Sequence, residues 1–300
     1  MGCHVHAQPE PIYVLTLDST RTELCGSIDY NFLTGNAHAA ARDAMLDPAN
    51  FGPGGIVERP IVFLPPVANF RCEIPAETDV LVIPASSSMT TLELSEVRLF
   101  SLRGGIIALG DTIPEELDYR FDGNAVGPFG PATGTITTEL HPVIDGPFGA
   151  VSGSLPLMTH AGFTNTASWL VAPLVSTPEA IVIGAWTHSI GPGRTVIAGD
   201  SEWLMTLSES GCAMGNQQPE GMTLFLNAVA WVAPDPEFKW TIGCSDCYID
   251  CNGDWELTIF DYICFGNAYA SQDPYADCDG NGQFAIFDYV CFFNSWQAGC

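Results

Sequence analysis

Six short and nearly continuous apolar runs constrain this chain more than any other feature. They are "IYVLTLD" (12–18), "IVFLPP" (61–66), "DVLVIPA" (79–85), "GIIALGD" (105–111), "AIVIGAW" (180–186) and "RTVIAGD" (194–200). A strand wet on one side alternates apolar with polar residues. A strand covered on both faces does not have to, and the strands of mainly parallel sheets are of that kind. Stretches of helical length lie between the runs at 36–46, 92–105 and 219–233. In the second of these, Leu92, Val97, Leu99 and Leu102 can share a face, and Gly104-Gly105 stops the helix before the next run. The expectation is an open α/β layered domain, a mainly parallel sheet with crossover helices. The Gly- and Pro-rich stretch 122–153 reads as an irregular insertion, and "WVAPDPEFKW" (231–240) reads as a hinge. This divides the chain into an α/β domain (11–233), a linker (234–243) and a C-terminal module (244–300).

Charge narrows the function classes. Asp and Glu total 35 against nine Lys and Arg, a net charge of −26, and Lys239 is the only lysine. Such a surface repels a nucleic acid or an anionic bilayer. The apolar runs are about 6–8 residues long, far short of the ~20 a membrane helix needs. The first residues show neither the basic region nor the apolar segment of a secretory leader, as in a chain whose leader has been removed. The general reading of the acidity is solubility, or adaptation to a salty medium. The C-terminus supports a sharper reading: its last 51 residues hold eight Asp or Glu and no Lys or Arg, a composition suited to binding cations.

Three of the runs end alike, in Asp18-Ser19, Asp111-Thr112 and Asp200-Ser201. Open α/β sheets bind ligands at the carboxyl ends of their strands, so Asp18, Asp111 and Asp200 are the candidate catalytic or ligand-holding residues, for a metal or a sugar. The favoured alternative is that they cap the segments that follow. Ser86, Ser87 and Ser88 lack the Gly-x-Ser-x-Gly elbow of a nucleophile and read as loop residues. "GPGR" (191–194) is too short of glycine for a phosphate loop and reads as a turn. His38, His141, His160 and His188 make no zincin spacing; His160 and His188 can approach the strand ends but read as structural.

The strand pattern, "GGIIALGDT", "HPVIDGPFG" and the closing "AGDSEWL…LFLNAVAWV" resemble the class I glutamine amidotransferase-like, flavodoxin-like domains, and especially the trehalose-utilisation-type branch. The resemblance implies the layered fold over 11–233. It also implies a cysteine nucleophile after a central strand, but the matching position here is Gly110-Asp111-Thr112, and no cysteine lies between Cys72 and Cys212. Thioester chemistry therefore lacks its nucleophile. A non-catalytic binding domain is the leading expectation. A carbohydrate-active hydrolase built on the strand-end carboxylates is the alternative, and a structural surface protein a third.

The tail is an internal duplication. "DCNGDWELTIFD" begins at Asp250 and "DCDGNGQFAIFD" at Asp277, and residues 250–273 match 277–300 at ten of 24 positions without a gap. Oxygen-bearing residues recur at the spacing a hard cation wants from a twelve-residue loop. The first loop offers Asp250, Asn252, Asp254, the Glu256 carbonyl and Asp261. The second offers Asp277, Asp279, Asn281, the Gln283 carbonyl and Asp288. Trp255 stands at the sixth position, where Gly is favoured, so the first loop is expected to be the weaker site. "CSDCYI", before the first loop, is too short and Cys-rich for the leading helix of an EF-hand, and a helix-length apolar segment follows each loop. A loop plus one helix, duplicated, resembles a type I dockerin, in a Cys-rich, planctomycete-like variant.

That resemblance implies two Ca2+ ions and a cohesin-like partner or cell-surface scaffold. Partner choice would rest on Ile259, Phe260, Ile286 and Phe287, with the alternative that these residues pack the repeats together. Seven cysteines (Cys244, Cys247, Cys251, Cys264, Cys278, Cys291 and Cys300) crowd the last 57 residues. They suggest disulfides of unspecified pairing and an extracellular or cell-surface location, with zinc at Cys244 and Cys247 as a rival.

Overall fold

The computed structural model describes residues 9–22, 24–71, 73–84, 89–111, 124–164, 171–187, 192–209, 213–215, 217–236, 249, 251, 258–278 and 283–298. Its main strands are β1 (Ile12–Thr16), β2 (Ile61–Phe63), β3 (Val80–Ile83), β4 (Gly105–Leu109), β5 (Asn124–Phe129) and β6 (Ala132–Ile136). They continue with β7 (Ser154–Leu157), β8 (His160–Thr164), β9 (Val171–Ser176), β10 (Ile181–Thr187) and β11 (Arg194–Ala198). The helices are α1 (Ala39–Leu46), α2 (Thr91–Ser101), α3 (Pro219–Val232), α4 (Ile259–Ser271) and α5 (Ile286–Ala298). None is long and apolar enough to cross a membrane.

Five strands form the parallel part of one sheet, in the order β11-β4-β3-β1-β2. Their side chains divide by parity, as strand geometry requires. Val80 and Val82, Ile107 and Leu109, and Val196 and Ala198 join a core with Ala41 and Met45 of α1 and Leu224, Phe225 and Val229 of α3. Leu81 and Ile83, Ile106 and Ala108, and Ile197 join the opposite core with Val97 and Phe100 of α2. Burial on both faces explains the unbroken apolar runs, each fully buried aliphatic side chain contributing about 1.5–3 kcal/mol. Helix α3 lies so close to the sheet that a Cβ at Gly105 would sit 2.5 Å from the Val232 carbonyl oxygen.

The structure departs from the sequence reading in three places. The stretch 122–153 is not an irregular insertion. It carries β5, β6 and a short ribbon of Asp145–Gly146 with Gly149–Ala150. These strands are rich in Gly, Pro and Thr and β5 is largely exposed, so they lack the apolar signal of the central ones. Strand β10, expected to run parallel, is antiparallel to β11 and starts a wing that continues through β9, β6 and β7. In α2 the buried stripe is Glu93, Val97, Phe100 and Ser101, with Leu99 and Leu102 only half-buried. Glu93 can be there because it completes a capping box with Thr90 and pairs with Arg21 at 2.8 Å. Burial opposes its charge, but Arg21 and the Thr90 and Phe70 amides outweigh that and hold its carboxyl below the usual range.

The C-terminal helices α4 and α5 have 13 residues each and occupy equivalent positions of the two repeats. Phe265 and its repeat equivalent Phe292 stack at 4.2 Å in the centre of a small core. The flanking contacts are reciprocal: Tyr262 meets Phe292 edge-on at 5.3 Å, and Tyr289 meets Phe265 at 5.1 Å. Such reciprocity is what a local two-fold relation between repeats produces. Cys251 is bonded to Cys264 and Cys278 to Cys291, each across 13 residues. The two disulfides suit a non-reducing environment.

Candidate functional site

Strand order decides which strand-end carboxylates meet. β4 and β11 are parallel neighbours with Leu109 opposite Ala198, so the chain leaves both at one edge and brings Asp111 within electrostatic reach of Asp200. Asp18 follows β1, which β3 separates from β4. At roughly 4.8 Å per strand, β1 lies about 10 Å from β4 and about 14 Å from β11. Asp18 instead organises its own turn, accepting from the Thr20 amide at 2.8 Å and the Thr20 hydroxyl at 2.5 Å. The structure thus brings together two of the three residues.

Asp200 is buried, with both oxygens engaged. Oδ1 accepts from the Glu202 amide at 2.7 Å, and Oδ2 from the Met158 amide at 2.8 Å. Its main-chain carbonyl accepts from Trp203 Nε1 at 2.8 Å. Burial above all, with the negative charge of Asp111 adding to it, pushes the carboxyl up from 3.8 to about 6 against the pull of those two amides.

The Met158 peptide joins a further residue to the group. Its carbonyl lies 3.2 Å from Nδ1 of His160, a buried ring packed 5.5 Å from Phe129, and Nε2 of that ring has no hydrogen-bond partner. The β8 strand that carries His160 runs beyond the end of β11, where Ala161 N donates to Gly199 O. With its proton on Nδ1, His160 donates to the Met158 carbonyl and keeps Nε2 as an acceptor. The sequence allowed His160 to approach the strand ends but favoured a structural role, because the link to Asp200 through Met158 depends on where β8 lands. Among the described residues the arrangement gathers two carboxylates and an imidazole, groups that can hold polar ligands, and no thiol.

The remaining histidines are structural or outside the description. His38 is buried beside Phe32, and desolvation lowers it to about 4. His141 accepts from the Val143 amide, as a turn residue does, and is lowered by burial and then by Arg194. His188, Thr112 and Ser86, Ser87 and Ser88 lie outside the described residues.

In the module, Asp250, Asn252, Asp254, Trp255, Glu256, Asp279, Asn281, Cys244, Cys247 and Cys300 lie outside the described residues. Asp261, Asp277, Gln283 and Asp288 lie within them. Asp261 and Asp288, at the twelfth loop position, are each 0% exposed. Each caps its helix, Oδ2 accepting at 2.7 Å from the Thr258 amide in one repeat and the Ala285 amide in the other. Residues 240–300 contain no Lys, Arg or His. Two fully buried carboxylates in a segment without a cationic side chain fit a bound hard cation, which would neutralise charge that is otherwise costly to bury. Among the described residues no set of three or more metal-type side chains is assembled.

The residues expected at the partner face do not pack the repeats together. Ile259 and Phe260 are 65% and 63% exposed, and Ile286 and Phe287 are 67% and 66% exposed. Phe265 and Phe292 hold the repeats together instead. Ile263 and Val290, also exposed, extend each apolar face by one helical turn. A cavity of about 740 Å³ lies beside α4, lined by Asn69, Arg71, Thr90, Asn267, Asp273 and Tyr275 among others. There the Arg71 guanidinium sits over the Tyr275 ring at 5.3 Å.

No known family model and no curated protein matches the chain. Among solved structures it is similar to a ThuA-like protein from Bacteroides uniformis, at 14% identity and a TM-score of 0.43 over 77% of this chain and 95% of that one. A cytoplasmic protein of Salmonella typhimurium aligns at 12% identity and a TM-score of 0.46, over 75% of this chain and all of that one. A glutamine amidotransferase from Methylobacillus flagellatus aligns at 8% identity and a TM-score of 0.38, over 75% of this chain and 96% of that one.

Proposed function

We propose that the chain is an extracellular or cell-surface binding protein, tethered through a calcium-dependent, dockerin-like C-terminal module. The observation that carries the reading is the matched pair Asp261 and Asp288, both fully buried at the twelfth position of duplicated loops, in a segment with no basic residue. Asp250, Asn252, Asp254 and the Glu256 carbonyl complete the first ligand set. Asp277, Asp279, Asn281 and the Gln283 carbonyl complete the second. Calcium supplies positive charge that neutralises the carboxylates each loop gathers. The exposed faces around Ile259-Phe260 and Ile286-Phe287 then receive a cohesin-like partner or scaffold. Eight Asp or Glu and no Lys or Arg over residues 250–300 call for a partner surface that is apolar at its centre and neutral or basic at its rim.

The α/β domain carries the cargo function. The absence of a cysteine at the Gly110-Asp111 turn supports ligand binding without amidotransfer, with carbohydrate as the ligand class to test first. One observation favours a hydrolase as second reading: Asp200, held near pH 6 beside Asp111, has the proton affinity of a general acid. Isothermal calorimetry of the full chain with CaCl2 tests the tether, with two binding events expected and none sinking it. A panel of oligosaccharides with wild type and Asp111→Asn separates the cargo readings. Binding without turnover supports the first, and turnover abolished by the substitution supports the second.

A further inference from the structure

Both disulfides start at the second position of a loop and end at the sixth residue of the helix that follows it, Cys251 to Cys264 and Cys278 to Cys291. A twelve-residue cation loop between two helices has both ends held by helical structure. Here the sequence before each loop is too short or too irregular for a leading helix: "GCSDCYI" (243–249) in one case and "SQDPYA" (271–276), with its single-turn Pro274–Ala276, in the other. The far end of each loop is pinned by the buried Asp261 or Asp288, through its bond to the Thr258 or Ala285 amide. The near end is pinned by sulfur.

We infer that each disulfide takes the place of the missing leading helix, clamping its loop against its own helix, so that the oxidised module keeps its fold without the cation and the reduced module needs it. The packing supports this. Cys251 is 1% exposed and, with Cys264 and Cys278, borders the Phe265–Phe292 stack, so the clamps are part of the core. The charge supports it too. Eight acidic residues and no basic one push the loops open when no cation is bound, and a covalent link from loop to helix is what resists that push. Reduction by a dithiol balances simply. Each S–S bond accepts two electrons and two protons to give two cysteine thiols, while the dithiol closes to its own disulfide. Linkage makes the effect reciprocal, so bound cation also protects the disulfides from reduction.

The inference rests on the calcium reading and is tested so that the two fail differently. The full chain is compared with the pair variants Cys251→Ser/Cys264→Ser and Cys278→Ser/Cys291→Ser. Calcium affinity is measured by chelator competition, and cleavage within 244–300 by limited proteolysis in EDTA or in saturating CaCl2. We expect the wild type to resist cleavage in both media. Each pair variant should be cut in EDTA and protected in CaCl2, with calcium binding at the altered loop about ten- to a hundredfold weaker, as removal of a ~14-residue covalent closure implies. A wild type that binds no calcium overturns the calcium reading. Pair variants that bind calcium as tightly as wild type and resist cleavage in EDTA overturn the clamp. So do variants that are cut equally in saturating calcium, because the disulfides would then be required for folding whatever the cation does.

Discussion

Replacing Asp200 with Asn removes a strand-end group whose proton affinity the fold has raised. The folded protein holds this proton up to about pH 6, against 3.8 for the free side chain, mainly because the carboxyl is desolvated. A group that binds its proton more tightly when folded stabilises fully below its unfolded pKa and loses that contribution as pH rises through its folded pKa. The loss is therefore concentrated between pH 4 and 6, and from well below to well above that window it totals about 3 kcal/mol.

Asn does not titrate, but it brings its own cost. The carboxylate accepts from two amides, Glu202 and Met158. The carboxamide accepts one of them and turns its NH2 toward the other, at about 1–3 kcal/mol independent of pH. Urea unfolding of both chains at pH 4, 5, 6 and 7, at fixed ionic strength and in excess CaCl2, reads the difference. The self-repulsion of a chain carrying −26 is common to both and cancels to first order. Wild type should be the more stable at pH 4, and its lead should shrink by about 2 kcal/mol by pH 7 and vanish or reverse there. A stability difference that stays flat from pH 4 to 7, or a wild type that gains on the variant as pH rises, refutes the reasoning.

Asn227 is fully buried in α3, accepting from the Phe148 amide at 2.9 Å and donating to the Val143 and Gly149 carbonyls. Asn227→Leu strands all three backbone groups under the antiparallel wing, and should cost about 3–5 kcal/mol in equilibrium unfolding. Phe260→Ser with Phe287→Ser changes two exposed rings, so thermal unfolding and calcium affinity should each stay within about 0.5 kcal/mol of wild type while partner capture is lost.

The central strands were legible because burial on both faces leaves a mark that needs no knowledge of neighbours: Val80 to Ile83 can be nothing but apolar. Helix α2 was placed by the spacing of its apolar residues and by Gly104-Gly105, which are local signals, but the structure buries Glu93, which completes a capping box with Thr90, and leaves Leu99 half-buried. Strand β5 was not legible. Its residues, "NAVGPF", pair with β8 more than thirty positions away, and little of their surface is buried to shape their composition.

The functional residues divide in the same way. The duplication of the loops, the oxygen spacing within them and the absence of any basic residue after Lys239 are properties of the chain itself, and they hold whatever the fold. Asp18, Asp111 and Asp200 look alike in sequence, since each ends an apolar run and precedes a hydroxyl residue. Only the strand order makes one a turn former and sets the other two side by side, because hydrogen-bonded pairing between strands distant in sequence fixes which edges coincide. The cysteines show the same limit. The 27-residue repeat makes pairing within a repeat and pairing across repeats equally regular on paper. Only the tertiary structure makes the choice: it joins Cys251 to Cys264 and Cys278 to Cys291, within each repeat, beside the stacked Phe265 and Phe292.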